Sequence, residues 1–352
     1  MRRQSIIAVA LAAIGLASGP LGLTKSAVAG DNLTIVAWGG DYQTMLRKSF
    51  FEPFAEKTGI KVNEGTWNAE IAKVSAMVET NTVSWDVVAI GAGLHQMCDQ
   101  GLLETIDWKK LGLDPAKFGK PGEQNCGLPM HSSGLLIAYD KDKLPDGPKT
   151  ISDVFDLQKF PGKRGLQKRA FTNLEWALLA DGVPAKDVYN VLKTREGVDR
   201  AFKKLDTIKK DVIWWTSWSQ PTQLLADGEV VMAGTGNTNV YDSSKKYGKN
   251  FAPIWDGALQ VVDFWVVPKG TPHLDAAYKF LAYFGSPEAQ ANMTHQTPLS
   301  PANSDALALV DPSMKPYLLS SHMEENVLAV DSVFWSEYGN ELNERFSAWL
   351  AQ

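Results

Sequence analysis

The chain has 352 residues, a formal net charge of −5 at pH 7 and 21% charged residues. That is length enough for two ordinary domains, with the composition of a globular protein. The acidic balance argues against a nucleic-acid surface, and five histidines without ligand spacing argue against a metal site.

The N-terminus reads as an export address. Arg2 and Arg3 precede the apolar run Ile6–Leu16, and Ala27-Val28-Ala29 is a small-x-small cleavage site. This predicts a secretory signal peptide over residues 1–29, cleaved before Gly30, and a periplasmic mature protein. The arginine pair leaves twin-arginine export open beside the general route. No later stretch reaches the ~20 apolar residues of a membrane span.

Leu33–Trp38 (LTIVAW) predicts a buried strand that turns at Gly39-Gly40. Tyr42–Thr58 has apolar residues at helical spacing and stops at Gly59. Ile60-Lys61-Val62 starts a second strand, Ala69–Thr80 reads as a helix, and Trp85–Ile90 as a third strand ending in Gly91-Ala92-Gly93. This βαβαβ order predicts an open parallel sheet with helices on both faces. In such sheets ligands sit beyond the carboxyl ends of the strands, where small residues let the backbone approach them.

Two cysteines, Cys98 and Cys126, read as a disulfide in an exported chain, with two buried free thiols as the alternative. Ser132 and Ser133 stand at the mouth of a strand, Leu135–Tyr139. Further on, a strand from Leu166, helices over Asn173–Ala180, Val188–Lys193 and Val198–Ile208, and strands Val212–Trp215 and Val230–Ala233 predict a second αβ unit with its own sheet. Then comes WDGALQVVDFWVVPKG, Trp255–Gly270: a turn at Asp256-Gly257, then a strand with one acid, Asp263, in an apolar run. A carboxylate there is costly to bury without a partner. Either it pairs within the protein or it waits for a cationic ligand, and the same strand carries the chain between two lobes. Helices over Ala276–Phe284, Pro287–Thr294 and Glu341–Leu350 follow. Twelve tryptophans and nine tyrosines offer rings for packing, or for holding cations at a site.

No G-x-S-x-G, P-loop, H-E-x-x-H or C-x-x-C motif occurs. A secreted α/β enzyme stays as the rival from another class, without a catalytic constellation to support it.

Several stretches together resemble one family: LTIVAWGGDYQTMLRKSFFEPFAEKTGIKV (Leu33–Val62), SWDVVAIGAG (Ser84–Gly93), CDQGLLETID (Cys98–Asp107), FPGKRG (Phe160–Gly165), NLEWALLADGV (Asn173–Val183), QPTQLLADGEVVM (Gln220–Met232) and IWDGALQVVDFWVVPKG (Ile254–Gly270). In this order they resemble the periplasmic solute-binding proteins of ABC importers, in the polyamine-binding-like branch. The resemblance implies an α/β, two-lobe, type II-like periplasmic-binding-protein fold, each lobe an open, mainly parallel sheet flanked by helices, joined by hinge strands. The first lobe would be residues 30–133 plus 263–352, the second 134–262. It also implies a monomer that needs no cofactor and hands a small amine-bearing solute, such as putrescine or spermidine, to an inner-membrane ABC permease. Asp263 matches the hinge-strand acid of the polyamine binders.

Three positions depart from that branch. Arg169 stands where polyamine binders place an acid, Val261 replaces a tryptophan, and Gly236-Asn237-Thr238 lacks an aromatic. Arginine suits a carboxylate rather than a second ammonium. Asp263 and Arg169 together would therefore select a zwitterionic ω-amino acid such as 4-aminobutyrate, the alternative to a polyamine. The candidate ligand-binding residues are Trp38, Gly39, Gly91, Ser132, Ser133, Arg169, Trp218, Asn237 and Asp263; none is assigned a catalytic role.

Overall fold

A computed structural model of the chain describes residues 32–119 and 125–352. The expected signal peptide, residues 1–29, lies outside the described residues. β1 (Asn32–Ala37) pairs in parallel with β2 (Lys61–Thr66) and β3 (Val87–Ile90). Between β1 and β2 the chain is helical, from α1 (Gly40–Leu46) through a π turn (Arg47–Phe51) to α2 (Glu52–Thr58). Phe50, Phe51 and Phe54 are buried, and Gly59 ends the helix in the left-handed region that Cβ-bearing residues avoid. Then come α3 (Ile71–Glu79), α4 (Leu94–Asp99) and α5 (Trp108–Leu111).

β4 (Leu128–Asp140) is long, 13 residues. It leads to β5 (Arg164–Gln167), α6 (Asn173–Ala180), α7 (Val188–Leu192), α8 (Arg195–Asp206), β6 (Val212–Trp215), α9 (Gln220–Asp227), β7 (Met232–Gly236) and α10 (Asn237–Tyr247). β8 (Phe251–Val266) has 16 residues. The chain ends with α11 (Leu274–Phe284), α12 (Pro287–Met293), β9 (Ser300–Pro301), β10 (Leu328–Ala329) and α13 (Ser332–Leu350), the last capped by Asp331, which accepts from the Phe334 N–H.

The sequence predicts two separate sheets. Among the described residues the strands form one sheet in the order β2-β1-β3-β8-β4-β7-β5-β6, with β9 and β10 off the path. Pairing is parallel within β2-β1-β3 and within β7-β5-β6, and antiparallel where β8 and β4 join those halves. The turn expected at Asp256-Gly257 is instead a bulge inside β8. The register against β4 slips between Leu135 and Ile137, and Gly257 takes φ 78°. A Cβ at Gly257 would also lie 2.7 Å from Ile151, so only glycine fits the bulge.

The cores divide cleanly along the chain. One pair of clusters draws its residues from 33–130 and 264–302. The others draw theirs from 135–259 and 310–350. Three stretches belong to neither set: the middle of β4, the middle of β8, and residues 303–309. The C-terminal helix, expected with the first lobe, packs with the second set: Phe346 and Trp349 meet Phe202 and Trp214 with ring centroids 5.4–6.4 Å apart. The signal for this third passage is weak in sequence, because residues 303–327 form only short 3-10 turns with no apolar period.

Cys98 and Cys126 are joined as expected, with Cα atoms 5.9 Å apart and a sequence separation of 28. Closing a loop of that length stabilises by about 3–4 kcal/mol in the chain-entropy model. Reduction should therefore lower the melting temperature by roughly 5 °C for a domain of this size, measured by calorimetry with and without reductant. An unchanged transition would mean that the bond adds nothing to folding.

Candidate functional site

The middle of β8 is where the long strand stops being core. Gln260 to Phe264 are five consecutive half-buried residues, between buried Leu259 and buried Trp265. All five line one cleft of about 1150 Å³. Its other walls come from the end of β1 (Trp38), the loop before α3 (Asn68, Ala69), the turn after β3 (Gly91, Ala92), the loop after β5 (Arg169, Phe171), Trp218, and residues Ala329–Val333 at the start of α13. Strand ends and helix starts from both halves of the sheet thus face one space.

The structure brings five of the nine candidates into this cleft: Trp38, Gly91, Arg169, Trp218 and Asp263. Gly39 lines a smaller adjoining recess of about 500 Å³ with Trp38, Thr66 and Trp67. Ser132 and Ser133 lie in β4 opposite Val262 and Val261, but do not line the cleft. Asn237 is buried away from it. Its Oδ1 accepts from the Gly134 N–H at 3.0 Å, and its Nδ2 donates to the carbonyls of Pro298 at 2.8 Å and Tyr317 at 3.0 Å. Its amide ties the middle of β4 to two segments of the late chain, and both of its N–H donors are spent on those carbonyls.

Asp263 keeps a quarter of its side chain exposed, and its Oδ2 lies 3.8 Å from His131 Nε2. Among the described residues no lysine or arginine is within ion-pair distance of it. His131 supplies no charge, because burial pushes its pKa down to about 3. Its Nε2 lies 2.7 Å from the Tyr42 hydroxyl. Burial raises the Tyr42 pKa, and the Asp263 charge adds to that shift. With neutral neighbours, burial pushes the Asp263 carboxyl up to about 7. The approach is close on the other side too: a Cβ at Gly91 would lie 2.8 Å from Asp263 Oδ1, so glycine there makes room for the carboxylate. Of the two readings of this acid, pairing with an internal lysine or arginine is not found among the described residues.

Arg169 is half-buried and has no carboxylate within ion-pair distance among the described residues. Its guanidinium carbon lies 4.7 Å from the Phe171 ring centroid and 5.9 Å from that of Trp218. Burial lowers its pKa, and the charge of Glu175 opposes that shift without an ion pair forming. Three residues on, Thr172 takes φ 73°, an uncommon conformation for a β-branched residue. Trp38 stacks on Trp67, with centroids 5.8 Å apart and planes 8° from parallel. Trp218 is 42% exposed, a large apolar ring left open at the cleft.

Sequence reasoning missed His131 and Tyr42 beside the acid, Phe171 under the arginine, and Ala329–Val333. No local pattern marks these residues; contacts distant in sequence bring them together. Phe171 alone had a signal, its place two residues after Arg169.

The comparisons with known proteins agree with this geometry. The model for bacterial extracellular solute-binding proteins matches residues 49–319. A gamma-aminobutyric acid-binding protein of Pseudomonas aeruginosa is 40% identical over 323 residues, 91% of each chain. The solved Atu4243 GABA receptor gives a TM-score of 0.80 at 34% identity, over 92% of this chain and 98% of its own. A spermidine/putrescine-binding protein of Streptococcus pneumoniae shares the fold, with a TM-score of 0.74 at 18% identity, over 91% of this chain and 100% of its own. These relatives are solute-binding proteins rather than enzymes. Among the described residues no helix is long and apolar enough to cross a membrane. The chain belongs to the bacterial extracellular solute-binding proteins, with their two-lobe α/β fold, and is the substrate-binding subunit of an ABC transporter.

Proposed function

We propose that the solute is a zwitterionic ω-amino acid of the 4-aminobutyrate type, held by its ammonium on Asp263 and by its carboxylate on Arg169. One observation carries the reading: a single cleft presents a carboxylate and a guanidinium, neither of them paired with an opposite charge among the described residues. Trp38, Trp218 and Phe264 offer apolar walls for the methylenes between them. A diamine would satisfy Asp263 and bring its second ammonium towards Arg169, an unfavourable like-charge contact. The relatives named for gamma-aminobutyric acid, at 34–40% identity, support the same reading; the polyamine binder, at 18%, speaks only for the fold.

The cleft is larger than the roughly 300–1,000 Å³ of ordinary small-molecule pockets, which leaves room for its walls to approach. In this reading one lobe comprises residues 32–130 and 264–302, the other 135–259 and 310–352. The three unclustered stretches between them act as the hinge, and the Asn237 amide braces it. The ligand favours closure because both lobes then touch it. The exported chain works in the periplasm as a monomer and delivers its closed form to the permease. Calorimetry on residues 30–352 tests the solute. 4-Aminobutyrate at 100 times its Kd should stabilise by about 2.7 kcal/mol, while putrescine at the same concentration gives little. A larger shift with putrescine would overturn the assignment.

A further inference from the structure

Behind Arg169 lies a group that ligand contact leaves unused. Glu175, in α6, is fully buried. Its Oε1 accepts from Trp335 Nε1 at 2.7 Å and from the Tyr189 hydroxyl at 3.3 Å. Its Oε2 is buried and has no partner among the described residues. A buried carboxylate oxygen without a donor is costly, so a donor in another state of the protein is expected. The same turn of chain holds a buried donor without an acceptor, Arg169 Nε. The charge of Glu175 already acts on Arg169. Ring contacts link the two residues a second way. The guanidinium lies over Phe171, Phe171 meets Trp335 edge-on at 5.2 Å, and Trp335 donates to Glu175. Trp335 lies two residues beyond the cleft-lining stretch Ala329–Val333, which starts beside β8 where Ala329 pairs with Gln260, so Glu175 is tied both to the arginine and to that wall of the cleft.

We propose that Glu175 is a positioning residue for Arg169: on ligand capture its Oε2 takes the Nε–H, which aims both Nη groups at the bound carboxylate. The guanidinium is a rigid fork, so fixing Nε fixes the direction of the other donors. This inference rests on the ω-amino-acid reading. The ionised form of Glu175 is the acceptor. Burial lifts its carboxyl to about 7, against the pull of its own and the Thr172 backbone N–H groups and of the Trp335 and Tyr189 hydrogen bonds. The titratable groups beside it are Arg169, which feels its charge and stays charged, and Tyr189, whose pKa is raised by burial and by Glu175 itself and which stays protonated. The grip on the carboxylate therefore weakens as pH falls through 7. Asp263 titrates in the same range, but it acts on the ammonium. Its part cancels in the ratio of 4-aminobutyrate to butylamine affinity.

The test is calorimetry with both ligands from pH 6 to pH 8. In Glu175→Gln one carboxylate oxygen becomes an amide NH2, so the remaining oxygen stands either at the Trp335 and Tyr189 donors or at Arg169, not at both. 4-Aminobutyrate should weaken about tenfold, the scale of one hydrogen bond to a charged group, while butylamine stays within about twofold. The affinity ratio of the wild type should fall towards pH 6, and that of Glu175→Gln should stay flat. Trp335→Phe keeps the ring but removes a donor from Oε1, and should move the midpoint of the ratio to higher pH. This second variant carries the test if Glu175→Gln does not fold. Equal weakening of both ligands, or a wild-type pH profile in either variant, would overturn the inference and leave Glu175 structural. Wild-type protein that ignores 4-aminobutyrate would remove the ω-amino-acid reading and this one with it. Binding that needs Arg169 but is indifferent to Glu175 would remove this one alone.

Discussion

Asp263→Asn should weaken an amine ligand by about 1.5–3 kcal/mol, roughly ten- to a hundredfold in Kd, the scale of a hydrogen bond to a charged group. The same change should stabilise the empty protein at pH 8. The carboxyl ionises near 7 in the fold instead of near the ordinary 3.8, so the folded state binds its proton more tightly than the unfolded state. Between those values the folded state holds more protons, and stability falls as pH rises. Asparagine removes that loss. The gain should be on the order of 2–4 kcal/mol at pH 8 and vanish near pH 4. Thermal unfolding at the two pH values, with calorimetry for the ligand, reads both effects. A variant that binds as before and melts as before would place the ligand elsewhere. The buried carboxylate is thus a local instability, one that a cation arriving at Asp263 would offset.

Arg169→Met should reverse the preference between solutes. Methionine has the length to lie on Phe171 and Trp218 without the charge. Loss of the guanidinium should weaken 4-aminobutyrate by about 2–4 kcal/mol, since a carboxylate brought into a closing cleft is left unpaired. Putrescine should bind more tightly than to the wild type, because the charge facing its second ammonium is gone. Folding should be unaffected or slightly improved, as the guanidinium Nε is buried without a partner. Titrating both solutes into both proteins reads the exchange. If 4-aminobutyrate keeps its wild-type affinity, Arg169 does not touch it.

In the proposed reading, Asp263 and Arg169 together call for a solute whose two ends differ in charge. Each is an ionisable group without a charged partner among the described residues, so each gains most from an opposite charge on the ligand. Polar groups at such a site give selectivity mainly by what they leave unpaired with the wrong ligand.

The sequence alone determined the class, through the resemblance of several stretches in one order, together with much of the strand-and-helix order and the cysteine pair, and it singled out Asp263 as a candidate. The elements follow from short-range chemistry, apolar period and glycine at turns, and Asp263 stands out as one carboxylate in a run of valines and aromatics. Arg169 was legible as a departure from the polyamine pattern. The tertiary structure decided the rest. Asn237 reads as a ligand contact in sequence, but its amide is consumed by the backbone of Gly134, Pro298 and Tyr317, partners up to 103 residues away. Ser132 and Ser133 sit in the expected strand, yet their pairing opposite Val262 and Val261 leaves them outside the cleft. The C-terminal helix joins the second core because Phe346 and Trp349 find rings there, and nothing local in residues 303–327 announces the passage. Local propensity sets the elements, whereas burial and hydrogen bonding between segments far apart in the chain decide which polar groups remain free for a solute.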